Sequence, residues 1–107
     1  MIHAELIYSG KQIVGFNICG HAYAEQYGKD IYCASISAVS DMAFLGINEE
    51  TSGQLEYKQE EGLYYCMIDK DQHKNIKAQA ILRSLESYLI EFEKEYSQFL
   101  RLSQSIL

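Results

Sequence analysis

The chain has 107 residues, enough for one domain built around one hydrophobic core. It carries 15 acidic and 9 basic residues, a formal net charge of −6, so we expect no direct nucleic-acid partner. The first residues lack the basic and apolar segments of a signal peptide. The most apolar stretch, residues 38–47, is interrupted by Ser40, Asp41 and Gly46, so we also expect no membrane-spanning segment.

Three cysteines, Cys19, Cys33 and Cys66, occur without the spacing of a metal site. We therefore expect no metal and no cofactor. An odd number of cysteines without disulfide spacing is typical of a reducing cytoplasm, where a lone cysteine either fills core space or reacts as a thiol.

The chain begins with two segments of alternating apolar and polar residues that predict a β-hairpin, and a second pair of such segments follows further on. In the first strand Ile2, Ala4 and Leu6 share one face, which is the half-buried pattern of an antiparallel sheet. The four predicted strands are residues 2–8 and 13–19, joined through Ser9-Gly10-Lys11-Gln12, and residues 54–59 and 63–69, joined through Glu60-Glu61-Gly62.

Two segments have helical periodicity instead. The first runs from Ile31 to about Gly46 with Asp30 as its N-cap, and the second from about Asn75 to Phe99. The predicted fold is α+β, a single small domain over residues 1–107 in the order ββαββα, with an antiparallel sheet and two helices packed on one face. The predicted buried stripes are Ile31, Ala34, Ser35, Ala38, Met42 and Leu45 in the first helix, and Ala78, Ile81, Leu82, Leu85, Leu89, Phe92, Tyr96 and Phe99 in the second.

The segment between the second strand and the first helix combines residues that can carry chemistry. Cys33 falls in the first helical turn, where unpaired amides and the helix dipole favour a thiolate and can stabilise an oxyanion. His21 follows the strand and can return to Cys33 as its base. Gly20 and Gly28 flank a loop that can act as a lid. Tyr23 and Tyr27 lie in this loop, where they can meet an apolar peptide or serve as ordinary loop residues.

Each of these residues also has a purely structural explanation. Cys33 can be a packing residue of an apolar helix, and His21 a hydrogen-bonded surface residue at a strand end. Asp30 can be only a cap, and Ser37, one turn after Cys33, only a small packing residue. From chemistry alone the catalytic pair therefore remains one of two interpretations.

The same segment resembles the ribosomal-processing cysteine protease family (Prp). The resemblance depends on Gly20-His21-Ala22, on Gly28-Lys29-Asp30 and on Cys33-Ala34 followed by Ser37, and the element order and chain length agree with it. It implies His21 as the base, Cys33 as the nucleophile, Asp30 and Ser37 as supporting polar residues, and a mobile substrate loop from Ala22 to Lys29.

The resemblance further implies a cytoplasmic homodimer that removes the N-terminal extension of a bacterial large-subunit ribosomal protein (number twenty-seven). Such a substrate is basic, and an acidic enzyme attracts it at long range. Two other functions remain open. One is a non-catalytic acidic factor that binds a ribosomal protein or assists assembly. The other is a different thiol enzyme, although a disulfide oxidoreductase normally carries a CxxC pair.

Overall fold

The computed structural model describes residues 1–21 and 30–107. These residues form one sheet, two long helices and a short 3₁₀ turn at Lys70–Gln72. The elements in chain order are β1 Ile2–Ser9, β2 Gln12–Gly20, α1 Ile31–Glu50, β3 Leu55–Glu60, β4 Leu63–Ile68, α2 Ile76–Glu95 and β5 Leu100–Ile106.

The sheet has five strands in the order β3-β4-β2-β1-β5. The predicted order ββαββα is confirmed, but a fifth strand follows α2 and pairs in parallel with β1, from Ile2 opposite Leu100 to Tyr8 opposite Ile106. The other three pairings are antiparallel. The prediction of an antiparallel sheet is therefore wrong, and the sheet is mixed. The physical reason is that α2 ends at Glu95, not Phe99, and carries the chain back to the outer edge of β1.

One face of the sheet carries the core, as the alternation in the first strand predicted. Ile2, Ala4 and Leu6 are buried, whereas His3, between the first two, is exposed. The core joins this face to both helices, and its other members include Phe16, Ile18, Tyr64, Cys66, Leu82, Leu89 and Leu100. At the ends of its strands, this covered face adjoins the start of α1, where Cys33 lies.

Helix α1 turns a different side to the core than its sequence suggested. Its buried residues are Ile36, Ser40, Ala43 and Ile47, whereas the predicted stripe points outward, with Met42 69% and Leu45 64% exposed. The prediction failed because α1 is apolar on nearly every side, so periodicity cannot select a face. An 18-residue window of α1 has a mean hydropathy of 1.3, which by length and composition alone suffices to cross a membrane. In the structure this helix packs against α2.

The α2 stripe is confirmed for most of its residues, since Ala78, Leu82, Leu85, Leu89 and Phe92 are buried. The same helix also buries a polar residue that the pattern did not predict. Ile13 lies beyond the last pair of the β2–β4 ladder, Gly15 opposite Met67, and Gln79 bonds both of its backbone groups. The Gln79 side-chain oxygen accepts from the Ile13 amide at 3.1 Å, and its nitrogen donates to the Ile13 carbonyl at 2.8 Å. The Gln79 amide thus supplies partners for the Ile13 backbone where the ladder has ended.

Candidate active site

Cys33 lies in the first turn of α1, at the position that the sequence predicted. Asp30 is the N-cap, in extended conformation, and one of its carboxylate oxygens accepts from the amides of Tyr32 at 2.9 Å and Cys33 at 3.1 Å. This is the standard arrangement in which a short acidic side chain satisfies the first free amides of a helix. The cap therefore fixes both the start of α1 and the direction of the Cys33 side chain.

The second carboxylate oxygen of Asp30 lies 3.4 Å from the sulfur of Cys33. Asp30 therefore contacts the candidate nucleophile directly, which the sequence analysis did not predict. The spacing of three residues contained the signal, because the side chain three positions after an N-cap commonly reaches back to it. The helix terminus favours a thiolate, whereas a carboxylate at this distance favours the protonated thiol. The two influences act in opposite directions on the same sulfur.

The first-turn amides have partners in the structure. Those of Tyr32 and Cys33 donate to the Asp30 side chain, and that of Ala34 donates to the Asp30 carbonyl at 3.1 Å. The expectation of unpaired amides at Cys33 is therefore wrong for this state of the protein. An oxyanion formed beside Cys33 needs either other donors or displacement of the Asp30 carboxylate.

His21 directly follows β2, and two separate parts of the chain hold its backbone. The Gly20 amide donates to the Gly62 carbonyl at 2.9 Å, and the Met1 nitrogen donates to the His21 carbonyl at 2.5 Å. The imidazole lies against the turn between β3 and β4, since a methyl group on Gly62 would fall 3.0 Å from its Nε2 atom.

His21 and Cys33 line the same cavity, which has a volume of about 580 Å³. Gly20, Asp30 and Ser37 line it as well, so the structure brings together every predicted site residue that it describes. Ala22, Tyr23, Tyr27 and Gly28, predicted for the substrate loop, lie outside the described residues. The rest of the wall comes from β1, β2, α1 and the β3–β4 hairpin: Ile2, Ile18, Ala34, Ile36, Ser40, Gln59, Glu60, Glu61, Gly62, Leu63 and Tyr64.

Asp41, a residue of α1, forms a hydrogen bond with the hairpin side of the cavity. The Asp41 carboxylate accepts from the Gln59 side chain at 3.3 Å. Burial, followed by the neighbouring Asp41 carboxylate, raises the pKa of Tyr64 far above its usual range, so the hydroxyl stays protonated. The Tyr64 ring also packs edge-on against Phe16, with centroids 5.6 Å apart. The sequence predicted the hairpin but not its place on the cavity.

One comparison with known protein families gives a match over most of the chain. A family model described as cysteine protease Prp matches residues 1–101. The chain belongs to this family, and the resemblance seen in the sequence is confirmed.

Solved structures show the same fold. The essential ribosomal processing protease Prp from S. aureus, in complex with a covalently linked product peptide, has a TM-score of 0.87 and 27% identity, covering 98% of this chain and 100% of that one. SMU.848 from Streptococcus mutans has a TM-score of 0.81 and 19% identity, over 100% of this chain and 96% of that one. The S. aureus protease with a substrate peptide has a TM-score of 0.71 and 22% identity, covering 98% of this chain and 100% of that one. No curated protein matches.

Proposed function

We propose that this cysteine protease is an endopeptidase that removes the N-terminal extension of a bacterial large-subunit ribosomal protein (number twenty-seven), with Cys33 as nucleophile and His21 as general base. The observation that carries the residue roles is that both side chains line one cavity, with the thiol in the first turn of a helix. The substrate class is supported by the similarity to a ribosomal processing protease at 27% identity.

In the proposed reaction His21 accepts the thiol proton of Cys33, and the sulfur attacks the carbonyl carbon of the scissile peptide bond. The tetrahedral intermediate collapses, the C–N bond breaks, and His21 returns the proton to the leaving amine. The acyl group remains on Cys33 as a thioester. A water molecule, deprotonated by His21, then attacks the thioester carbon. The C–S bond breaks, the acid product leaves, and the proton returns to the thiol.

Two supporting residues act beside this pair. Ser37 lies one helical turn after Cys33 on the cavity wall and carries a hydroxyl that can donate to a developing oxyanion. Asp30 holds the first turn of α1 and contacts the Cys33 sulfur at 3.4 Å. In this proposal the segment from Ala22 to Lys29 admits the substrate.

The cavity wall suits a substrate that is apolar on one side and basic on the other. Ile18, Ile36 and Tyr64 supply apolar and aromatic surface for aromatic residues before the cut. Glu60 and Glu61 at the hairpin tip add negative charge, which attracts the basic residues of a ribosomal protein beyond the cut.

Incubation of the purified protein with the extended precursor, followed by mass measurement of the products, tests the function. Wild-type protein should release one defined N-terminal peptide, Cys33→Ala and Cys33→Ser should release none, and His21→Ala should lose several orders of magnitude in rate. Precursor binding without cleavage by the wild-type protein would contradict the proposal and favour the acidic binding factor. Full cleavage by His21→Ala would contradict the role of His21 alone.

We also propose a homodimer formed through the outer side of α1. The exposed side chain of Met42 lines an apolar groove of about 410 Å³ between the two helices, together with Gly46, Ile81 and Tyr88. Leu45 is a second exposed apolar side chain on α1. An apolar surface of this kind is typical of a protein–protein contact. Sedimentation velocity checks this: Met42→Glu should be monomeric, whereas Ile76→Glu, at another exposed apolar residue, should match wild type. Equal sedimentation of all three proteins would contradict the proposed interface.

The same proposal locates the enzyme in the cytoplasm, where reducing conditions keep Cys33 as a thiol. Fractionation of cells that express the protein checks this location. Recovery in the membrane pellet would contradict it.

A further inference from the structure

We infer that Gly62, in the turn between β3 and β4, is a positioning residue for the catalytic base His21. This inference rests on the proposed role of His21. The observation is a close approach: a Cβ atom on Gly62 would lie 3.0 Å from Nε2 of the imidazole and 3.7 Å from its Cδ2. Non-bonded heavy atoms prefer about 3.5–4.0 Å, so the bare backbone of Gly62 forms a surface against which the ring fits.

The turn and the histidine are joined through the backbone as well. The Gly62 carbonyl accepts from the amide of Gly20, the residue directly before His21, at 2.9 Å. The next residue, Leu63, pairs with Cys19 in the β2–β4 ladder. The end of β2 and the turn therefore move as one unit, and a change at Gly62 is transmitted to the ring that lies against it.

The turn is also held relative to the helix that carries the nucleophile. Gln59 pairs with Tyr64 across the β3–β4 ladder, and the Gln59 side chain donates to the Asp41 carboxylate on α1 at 3.3 Å. Asp41 thus fastens the hairpin to the helix that begins beside Cys33. A series of contacts through α1, Asp41, the hairpin and Gly62 therefore connects the Cys33 thiol with the His21 imidazole. The hairpin in this way sets the position of the imidazole.

Gly62 also adopts the left-handed backbone conformation, with φ of +76°. A glycine is therefore favoured at position 62 for two reasons, the left-handed backbone and the space that the imidazole needs. Gly10, in the β1–β2 turn, shares only the first reason, because it has φ of +59° but nothing within 4 Å of an added Cβ. Gly10→Ala reproduces the backbone cost of Gly62→Ala without touching His21.

Kinetics of precursor cleavage test the inference. Gly62→Ala moves the ring by several tenths of an ångström, and because reactive geometry is this sensitive we expect a loss of about tenfold or more in kcat/KM, mainly in kcat. Gly10→Ala should stay within about twofold of wild type while losing similar thermal stability. Gly62→Asn is the second variant, because asparagine tolerates the left-handed conformation yet carries the same Cβ. It should fold normally and lose as much activity as Gly62→Ala.

The rate of iodoacetamide alkylation at Cys33, resolved by mass from Cys19 and Cys66, gives an independent readout. Gly62→Asn should change the pH profile of this rate in the wild-type background, and should have no further effect in a His21→Ala background, where the ring is gone. Kinetics and a pH profile equal to those of Gly10→Ala would overturn the inference. If His21→Ala itself left cleavage and alkylation unchanged, the proposed role of His21 as the base would fail instead, and the two failures are thus distinguishable.

Discussion

Replacement of Asp30 by asparagine or alanine separates the two functions of one carboxylate. One oxygen caps α1 and the other contacts the Cys33 sulfur at 3.4 Å. Asparagine retains an oxygen for the cap but removes the charge. Even at the dielectric constant of water, two unit charges 3.4 Å apart interact by about 1.2 kcal/mol. We therefore expect Asp30→Asn to increase the thiolate population, and the alkylation rate of Cys33, by about eightfold or more, with little change in stability. Asp30→Ala should show the same acceleration and lose about 1 kcal/mol through the missing cap.

The second-order rate of iodoacetamide alkylation at pH 7, with thermal unfolding of the same samples, measures both effects. Asp69→Asn is the matched control, because Asp69 precedes the short 3₁₀ turn and its side chain caps nothing there. It should leave the alkylation rate of Cys33 unchanged. If Asp30→Asn reacted at the wild-type rate, the carboxylate would not control the thiol. If it reacted more slowly, the carboxylate would act on the thiolate through His21, and the electrostatic reasoning would be refuted.

Three further predictions follow from buried groups. Burial raises the pKa of the Cys66 thiol to about 12, so Cys66 should stay unalkylated in the folded protein up to pH 9 and react once urea unfolds it; modification of folded protein would contradict this. Gln79→Ala should lower the free energy of unfolding by about 2–5 kcal/mol, because it leaves the buried backbone amide and carbonyl of Ile13 unpaired. Ser84→Ala on the exposed side of the same helix should change it by less than about 0.5 kcal/mol, and equal denaturation midpoints would refute the difference. Asp41→Asn weakens the contact with the hairpin and should raise KM for the precursor more than Tyr64→Phe does, since the Gln59 side chain bonds the Asp41 carboxylate directly; an unchanged KM in both would show that this link does not shape the cavity.

Local sequence patterns predicted four of the five strands and both helices, because each alternation or stripe is readable within its own segment. The fifth strand was missed because Tyr96 and Phe99 extend the apolar spacing of α2 beyond its real end at Glu95. Whether residues 96–106 form a helix or a strand depends on the open edge of β1, whose residues lie 98 positions before their partners in β5. No local pattern contains that information.

The candidate site divides in the same way. His21, Asp30 and Cys33 were identifiable because one short stretch of chain carries all three, and strand-to-helix geometry brings them together. The hairpin wall with Gly62 could not be placed, since it reaches the cavity only through the pairing of β4 with β2. His21 and Gly62 are far apart in the sequence and meet only through strand pairing. The sequence alone therefore identified Gly62 only as a turn residue.

The parallel pairing of β1 with β5 makes one part of the cavity wall depend on the last strand of the sheet to be synthesised. During synthesis β1 emerges first among these elements and β5 last, yet the two lie side by side, and the Ile2 amide donates to the Phe99 carbonyl at 2.7 Å. Ile2 also lines the cavity. A nascent chain that ends in α2 has His21 and Cys33 but leaves the outer edge of β1 unpaired and the wall beneath Ile2 unsupported. Support for this part of the cavity wall therefore arrives with the last of these strands, although the strand that it supports is the first.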